Sequence, residues 1–161
     1  IQLQVEAALD YDKLLDKLRG SEGEKNIRDQ QNALITSLNL RLNGVSKKRT
    51  RLYEDYAEGL LDEAEYSFAK KSYDEQYADL SRRLDEAVQR RSKFDEAMSV
   101  DNKWITLMKS VSTATQLSQD LVDESVELVK VHEGGAVELI MKYGDIYELT
   151  IQSIKEVQEA M

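Results

Sequence analysis

The side chains best suited to chemistry are sparse in this chain. His132 is the only histidine, and there is no cysteine at all. A lone imidazole, with no thiol and no carboxylate pair of defined spacing beside it, makes a poor zinc ligand and a poor general base. It closes a two-residue alternation with Val129 and Val131, which turns it toward solvent or an interface. No phosphate-cradling glycine loop, nucleophile elbow or zinc-ligand spacing is present. The expectation is a stretch without enzymatic activity, cofactor or metal.

Two clusters suit binding instead. Five of the eight tyrosines, Tyr53, Tyr56, Tyr66, Tyr73 and Tyr77, fall within a short span, and Leu60, Leu61 and Phe68 lie among them. Aromatic side chains bury much area at small entropic cost and are enriched at protein contacts. The alternative is that these rings merely pack the narrow end of a structural element. The second cluster is basic: Lys47, Lys48, Arg49 and Arg51, with Arg82, Arg83, Arg90 and Arg91 farther on. Interleaved acids and a net charge of -9 favour solubility and pairing between helices over a grip on phosphates.

The elements that carry these residues follow from what is missing. Over 161 residues there is no proline and only 7 glycines, while 33% of residues are charged. Proline breaks helices and glycine costs them about 1 kcal/mol, so their scarcity predicts a few long helices. A first amphipathic helix carries Leu3, Ala7, Leu14 and Leu18 and stops at Gly20. From about Glu24 to Gly59, Arg28, Gln31, Ile35, Leu38, Leu42, Val45, Arg49, Leu52 and Tyr56 alternate spacings of four and three. That is the left-handed coiled-coil period. Gly59, Leu60 and Leu61 break the pattern, and Asp62 with Glu65 has the capping-box spacing for the next helix. The second heptad set runs from Tyr66 through Lys70, Tyr73, Tyr77, Leu80, Leu84, Ala87, Arg91 and Phe94 to Met98. Most acidic residues then fall on the solvated flanks, where they need no catalytic explanation.

Two such helices joined by a short turn must run antiparallel, each roughly 54 Å long at 1.5 Å per residue. In an antiparallel pair the two numbers of every core layer share one sum, and a turn centred near Leu61 sets that sum at about 122. The predicted layers pair Tyr56 with Tyr66, Leu52 with Lys70, Arg49 with Tyr73, Val45 with Tyr77 and Leu42 with Leu80. Leu38 with Leu84, Ile35 with Ala87, Gln31 with Arg91 and Arg28 with Phe94 continue the series. A slip of one heptad would pair Leu42 with Tyr73 instead. Arg49, Tyr73 and Arg91 are the polar residues expected to hold register, with Arg49 lying on an aromatic face rather than on a carboxylate.

Beyond the hairpin, Asp101 and Asn102 can cap a helix bearing Trp104, Leu107, Met108 and Val111. Ser118 can cap another to about Glu127, with Leu121, Val122 and Ser125 inward. Two alternating runs flank Gly134 and Gly135, a strong hairpin signal. A last helix after Asp145 carries Ile146, Leu149, Ile154 and Val157. The expected fold is mainly α: a long antiparallel two-helix coiled-coil hairpin on a small base of short helices plus a β-hairpin. Residues 1–22 form a base helix, 23–99 the arm with its turn near 59–62, and 100–161 the rest of the base with a ribbon at about 128–143. No apolar run near 18 residues and no basic-then-apolar leader is visible, so a cytoplasmic protein without a membrane contact is expected. The first residues, Ile1, Gln2 and Leu3, stand in mid-pattern and read as the start of an excised piece.

Residues 51–66, RLYEDYAEGLLDEAEY, followed by Lys70, Lys71 and Tyr73, resemble the coiled-coil turn of large serine recombinases, the phage integrases and conjugative-transposon resolvases. Residues 117–126, LSQDLVDESV, and 129–143, VKVHEGGAVELIMKY, are similar to the family's last short helix and ribbon. The order of elements matches along nearly the whole chain. The resemblance implies a parent that cleaves and rejoins DNA attachment sites through a serine nucleophile. This stretch would be the coiled-coil region of its zinc-ribbon domain. Catalytic serine, zinc and DNA contacts would all belong to other parts of that parent, so no catalytic or metal residue is assigned here. The partner implied is the coiled-coil arm of another subunit, meeting it in synapsis and in the choice between integration and excision. Tyr53, Tyr56, Leu60, Leu61, Tyr66 and Phe68 are the candidate contact residues. A structural or adaptor coiled coil of another family is the competing reading.

Charge yields the first testable outcome. The chain should bind duplex DNA weakly and without sequence preference at physiological salt, because a net charge of -9 offers no dense positive face. A gel-shift titration showing submicromolar, sequence-specific binding would contradict this.

Overall fold

The structure is a computed structural model and describes residues 2–113 and 118–161. Its elements are α1 (Gln2–Leu18), α2 (Glu22–Ala57), α3 (Glu63–Met98), α4 (Lys103–Thr113), α5 (Gln119–Ser125), β1 (Val126–Val131), β2 (Val137–Met141) and α6 (Gly144–Glu159). They form a mainly α protein with two 36-residue helices joined by a short turn. The chain divides into two compact units, Ile1–Ile27 with Ser92–Met161, and Arg28–Arg91. Among the described residues no helix is long and apolar enough to cross a membrane.

The hairpin unit packs as its heptads dictate. Leu38, Val45 and Leu80 are buried, and Leu42, Tyr73, Tyr77, Leu84 and Ala87 pack around them. The Tyr56 and Tyr66 rings stack with centroids 4.3 Å apart. That layer fixes the sum near 122 and excludes the slip that would set Leu42 against Tyr73. Near the other end of the unit, Arg91 donates from Nη1 to the Asn32 Oδ1, one residue beyond the predicted partner Gln31.

In the other unit the first helix presents a slightly different face from the predicted one. Ala8, Leu15 and Leu18 are buried and Tyr11 packs against the same core, while Leu14 sits at its edge. The stripe runs through Leu15 because Tyr11 belongs to it, at the helical spacing that joins Ala8 to Leu18. The side chains of Leu3, Ala7 and Leu121 lie outside the described set, as does residue Leu117. Tyr11, Trp104 and Tyr147 form an aromatic trio, Trp104 and Tyr147 having centroids 4.6 Å apart and tilted by 47°. Such pairs contribute about 0.5–1.5 kcal/mol beyond area burial. Met98, Ile105, Met108, Ile154 and Val157 complete the centre of this core.

Asn102 joins three helices in this unit and is 1% exposed. Its Oδ1 accepts the Ile105 N–H at 3.1 Å, which caps α4 as the sequence anticipates. Its Nδ2 donates to the Ala97 carbonyl at 2.9 Å and to Thr150 Oγ1 at 2.8 Å. Thr150, fully buried, in turn donates a hydrogen bond from its hydroxyl to the Ile146 carbonyl in α6. The start of α2 is fixed by a variant of the capping box, in which Ser21 Oγ accepts from the Glu24 N–H while the Glu24 carboxylate accepts from the Gly20 N–H, one residue before the cap. Gly23 is part of this first helical turn. It lies so close to α6 that a β-carbon would stand 2.3 Å from the Val157 carbonyl oxygen.

Helix α5 stops at Ser125, two residues earlier than expected, because Val126 already pairs with Met141 in the ribbon. Strands β1 and β2 are antiparallel, with Val129 opposite Leu139 and Val131 opposite Val137. An irregularity between Val126 and Leu128 leaves Glu127 without an opposite residue, a bulge. Gly134 and Gly135 take the positive φ that the turn demands, 102° and 83°. Met141 packs on the helical core, whereas Leu128, Val129, Val131 and Val137 remain exposed.

Replacing Asn102 by Ala should cost about 2–3 kcal/mol, since it removes the α4 cap and leaves Thr150 without its donor. Asn102→Asp keeps the cap acceptor and should recover only part of that loss. Urea denaturation of the three proteins checks this; a loss below about 0.5 kcal/mol for Ala would show that these bonds contribute little.

Candidate contact surface at the hairpin tip

The tip is held by backbone chemistry that needs no help from its apolar side chains. Gly59, with φ +76°, closes α2. Its N–H donates to the Tyr56 carbonyl at 3.0 Å, and the Leu60 N–H donates to the Asp55 carbonyl at 2.9 Å. This pair of bonds is the Schellman arrangement, in which only glycine takes the left-handed position without strain. Two residues later α3 opens on the predicted capping box. Asp62 Oδ1 accepts from the Glu65 N–H at 2.8 Å, and Glu65 Oε2 accepts from the Asp62 N–H at 3.0 Å. Both helix ends are thus satisfied inside a turn of five residues.

The six predicted contact residues fall in three environments on this scaffold. Tyr56 and Tyr66 stack across the hairpin and close its last core layer, with Tyr66 half-buried and Tyr56 still 37% exposed. Leu61 is half-buried in the turn. Tyr53, Leu60 and Phe68 stay 62%, 67% and 81% exposed. Phe68 occupies the outermost heptad position of α3, two residues from Tyr66, where an isolated hairpin has nothing to set against it. Below the Tyr56–Tyr66 layer an open groove of about 390 Å³ is lined by Ser46, Arg49, Tyr53, Tyr66, Lys70 and Asp74. It exists because Lys70, which occupies a core position opposite Leu52, turns outward to donate to Asp74 at 3.0 Å.

Arg49 departs from its expected environment. Its guanidinium carbon lies 4.9 Å from the centroid of the Tyr77 ring, not over Tyr73. Its Nη2 is 2.8 Å from Asp74 Oδ1, so a carboxylate holds it as well as a ring. Asp74 follows Tyr73 directly and flanks the core seam, the position from which acidic residues pair across a coiled coil. That e-position rule was the signal able to find it. The hydrogen bond from Lys70 is the main influence lowering the Asp74 carboxyl below its ordinary range, and Arg49 adds to it. Partial desolvation works in the opposite direction and is outweighed.

The remaining candidates for chemistry lie elsewhere. His132 Nε2 is 3.0 Å from Glu138 Oε2 on the ribbon, with both side chains about half exposed at 55% and 50%. Of the second basic cluster, Arg82 pairs with Asp79 and Glu86 on its own helix, each at 2.7 Å, and Arg83 lies 3.8 Å from Asp79. These are the neighbour pairs expected of a solvated helix face. Comparisons with protein-family models, with curated proteins and with solved structures found no match.

The Asp74 cluster predicts a pH dependence of definite sign. A carboxyl whose folded pKa is depressed stabilises the fold above its unfolded value, near 3.9, and that contribution fades as pH falls through the folded value. Asp74→Asn should therefore lower the melting temperature at pH 7, and the gap to the parent should close progressively below about pH 4. An unchanged gap in acid would show that Asp74 acts through packing rather than charge.

Proposed function

We propose that this chain is a non-catalytic coiled-coil part of a site-specific DNA recombinase. Its hairpin tip joins recombinase subunits during synapsis and bears on the direction of integration or excision. The observation that carries the contact role is the exposure of Tyr53, Leu60 and Phe68 beside a turn already completed by its own backbone bonds. Large apolar side chains kept in water where folding does not require them suit a surface that is covered part of the time. The recombinase setting rests on the resemblance of residues 51–66, 117–126 and 129–143 to the serine family. DNA binding and cleavage, with any zinc, would lie in the parent outside this stretch.

A patch of this size supports weak association, micromolar or poorer. Within a complex assembled on DNA, effective concentration makes such a contact sufficient while keeping it reversible. An adaptor coiled coil of another family would use the same exposed tip. The encoded sequence upstream separates the two, since the recombinase reading requires a resolvase-type catalytic domain and paired cysteines there.

Leu60→Asp combined with Phe68→Asp is the direct test, because both side chains are exposed and the Tyr56–Tyr66 layer is left intact. Helicity and melting temperature should stay close to the parent values. In the full-length recombinase the double variant should bind single attachment sites normally and lose pairing of two sites at least tenfold in a synapsis gel shift. Undiminished synapsis by the folded variant would reject the tip as the subunit contact.

A further inference from the structure

The charges of the hairpin unit are sorted into two bands along its length. Between residues 52 and 69 every charged side chain is acidic: Glu54, Asp55, Glu58, Asp62, Glu63 and Glu65. Immediately below lies a collar rich in bases, Lys47, Lys48, Arg49 and Arg51 on α2 with Lys70 and Lys71 on α3, into which only Asp74 and Glu75 bring negative charge. The antiparallel pairing sets the two halves of this collar at nearly the same level, as the Arg49–Asp74 contact across the hairpin shows.

Part of this charge is used within the hairpin. Arg49 and Lys70 share Asp74, and Arg51 lies 3.9 Å from Asp55. Lys47, Lys48 and Lys71 in the collar, and Glu54, Glu58 and Glu63 at the tip, are exposed and have no ion pair among the described residues. They cannot meet one another within one hairpin in most combinations. Lys47 and Glu54, for example, are seven positions apart on one helix, roughly 10 Å.

We propose that the occupant of the tip surface is the tip of a second copy of this chain, laid alongside it in antiparallel overlap. The acidic end of each hairpin then faces the basic collar of the other. A two-fold axis makes the contact self-complementary, so a single patch supplies both halves. The overlap that sets each band against the other is the sum of their depths below the tip, about 17 residues or roughly 25 Å. Tyr53 and Phe68 lie within that overlap. The arrangement rests on the reading of the tip as a contact between subunits, and it specifies the geometry and partner surface of that contact. Two tips meeting end to end would oppose acid to acid, and two hairpins side by side in parallel would repel along both bands. Duplex DNA suits the collar less well, because the acidic band beside it repels phosphates within about one Debye length.

Charge exchange tests this with the chain as it stands, using sedimentation equilibrium over a concentration series reaching about 1 mM. The unaltered chain should self-associate, at least tenfold more weakly at about 500 mM than at about 50 mM salt. Lys47→Glu with Lys48→Glu should abolish association, and Glu54→Lys with Glu58→Lys should do the same. None of these side chains is buried or makes a capping bond, and circular dichroism should show parental helicity in each variant. The quadruple variant, carrying both reversals, should associate again within about threefold of the parent. If the quadruple variant stays monomeric, or if association of the parent strengthens with salt, the overlap is wrong while an apolar tip contact stands. If the parent shows no association at any salt, both the overlap and the tip contact fall. Loss of DNA binding by the Lys47 and Lys48 reversal, with self-association untouched, would reassign the collar to phosphate contacts and overturn the overlap.

Discussion

Heptad periodicity leaves two antiparallel helices free to slide past each other by seven residues, and the five-residue turn at Glu58–Asp62 removes that freedom. The left-handed Gly59 and the reciprocal bonds of Asp62 and Glu65 end one helix and begin the next at defined residues. Every layer below inherits its partner from that choice. Tyr56 meets Tyr66, and the aliphatic block around Leu38, Val45 and Leu80 falls into one buried cluster. A longer turn would weaken this control, because sequence alone tolerates more than one register.

The polar layers near the tip show how the hairpin accommodates residues a dry core would reject. Lys70 sends its ammonium outward to Asp74, and Arg49 reaches the same carboxylate while resting against the Tyr77 ring. These partners are partly solvated, so each pair adds little stability by itself. Beside them lie a groove and exposed aromatic surface, in a region whose two helix ends are already capped. Stability and surface are therefore supplied by different residues: the turn by glycine and carboxylates, the exposed patch by Tyr53, Leu60 and Phe68. Such separation lets the patch change without unfolding the hairpin.

The unit formed by Ile1–Ile27 and Ser92–Met161 is organised on another principle. Its short helices have little intrinsic stability and hold together through a shared core and one buried amide. Asn102 ends up bonded to the residues before it, the helix after it and Thr150 far along the chain. Gly23 permits the close approach of α2 and α6 that any larger residue would block. Both are long-range requirements, satisfied by residues that look like ordinary caps and breaks in the sequence.

What the amino-acid sequence determined by itself was whatever depends on local rules. The absence of proline, the four-three spacings, the Gly59 stop, the Asp62–Glu65 box and the Gly134–Gly135 turn each specify local geometry through neighbours only a few positions away. The heptad numbers even predicted that Tyr56 faces Tyr66, because antiparallel packing turns one turn position into a constant sum. The tip cluster was legible as a concentration of aromatic residues, but its division into stacked Tyr56 and Tyr66 and exposed Tyr53 and Phe68 was decided by the tertiary structure. So were the pairing of Arg49 with Asp74, the inward turn of Leu15, the close seat of Gly23 and the threefold role of Asn102. Each depends on which surface arrives from a distant part of the chain, and side-chain direction at a contact is set by that arrival rather than by the residue's own neighbours.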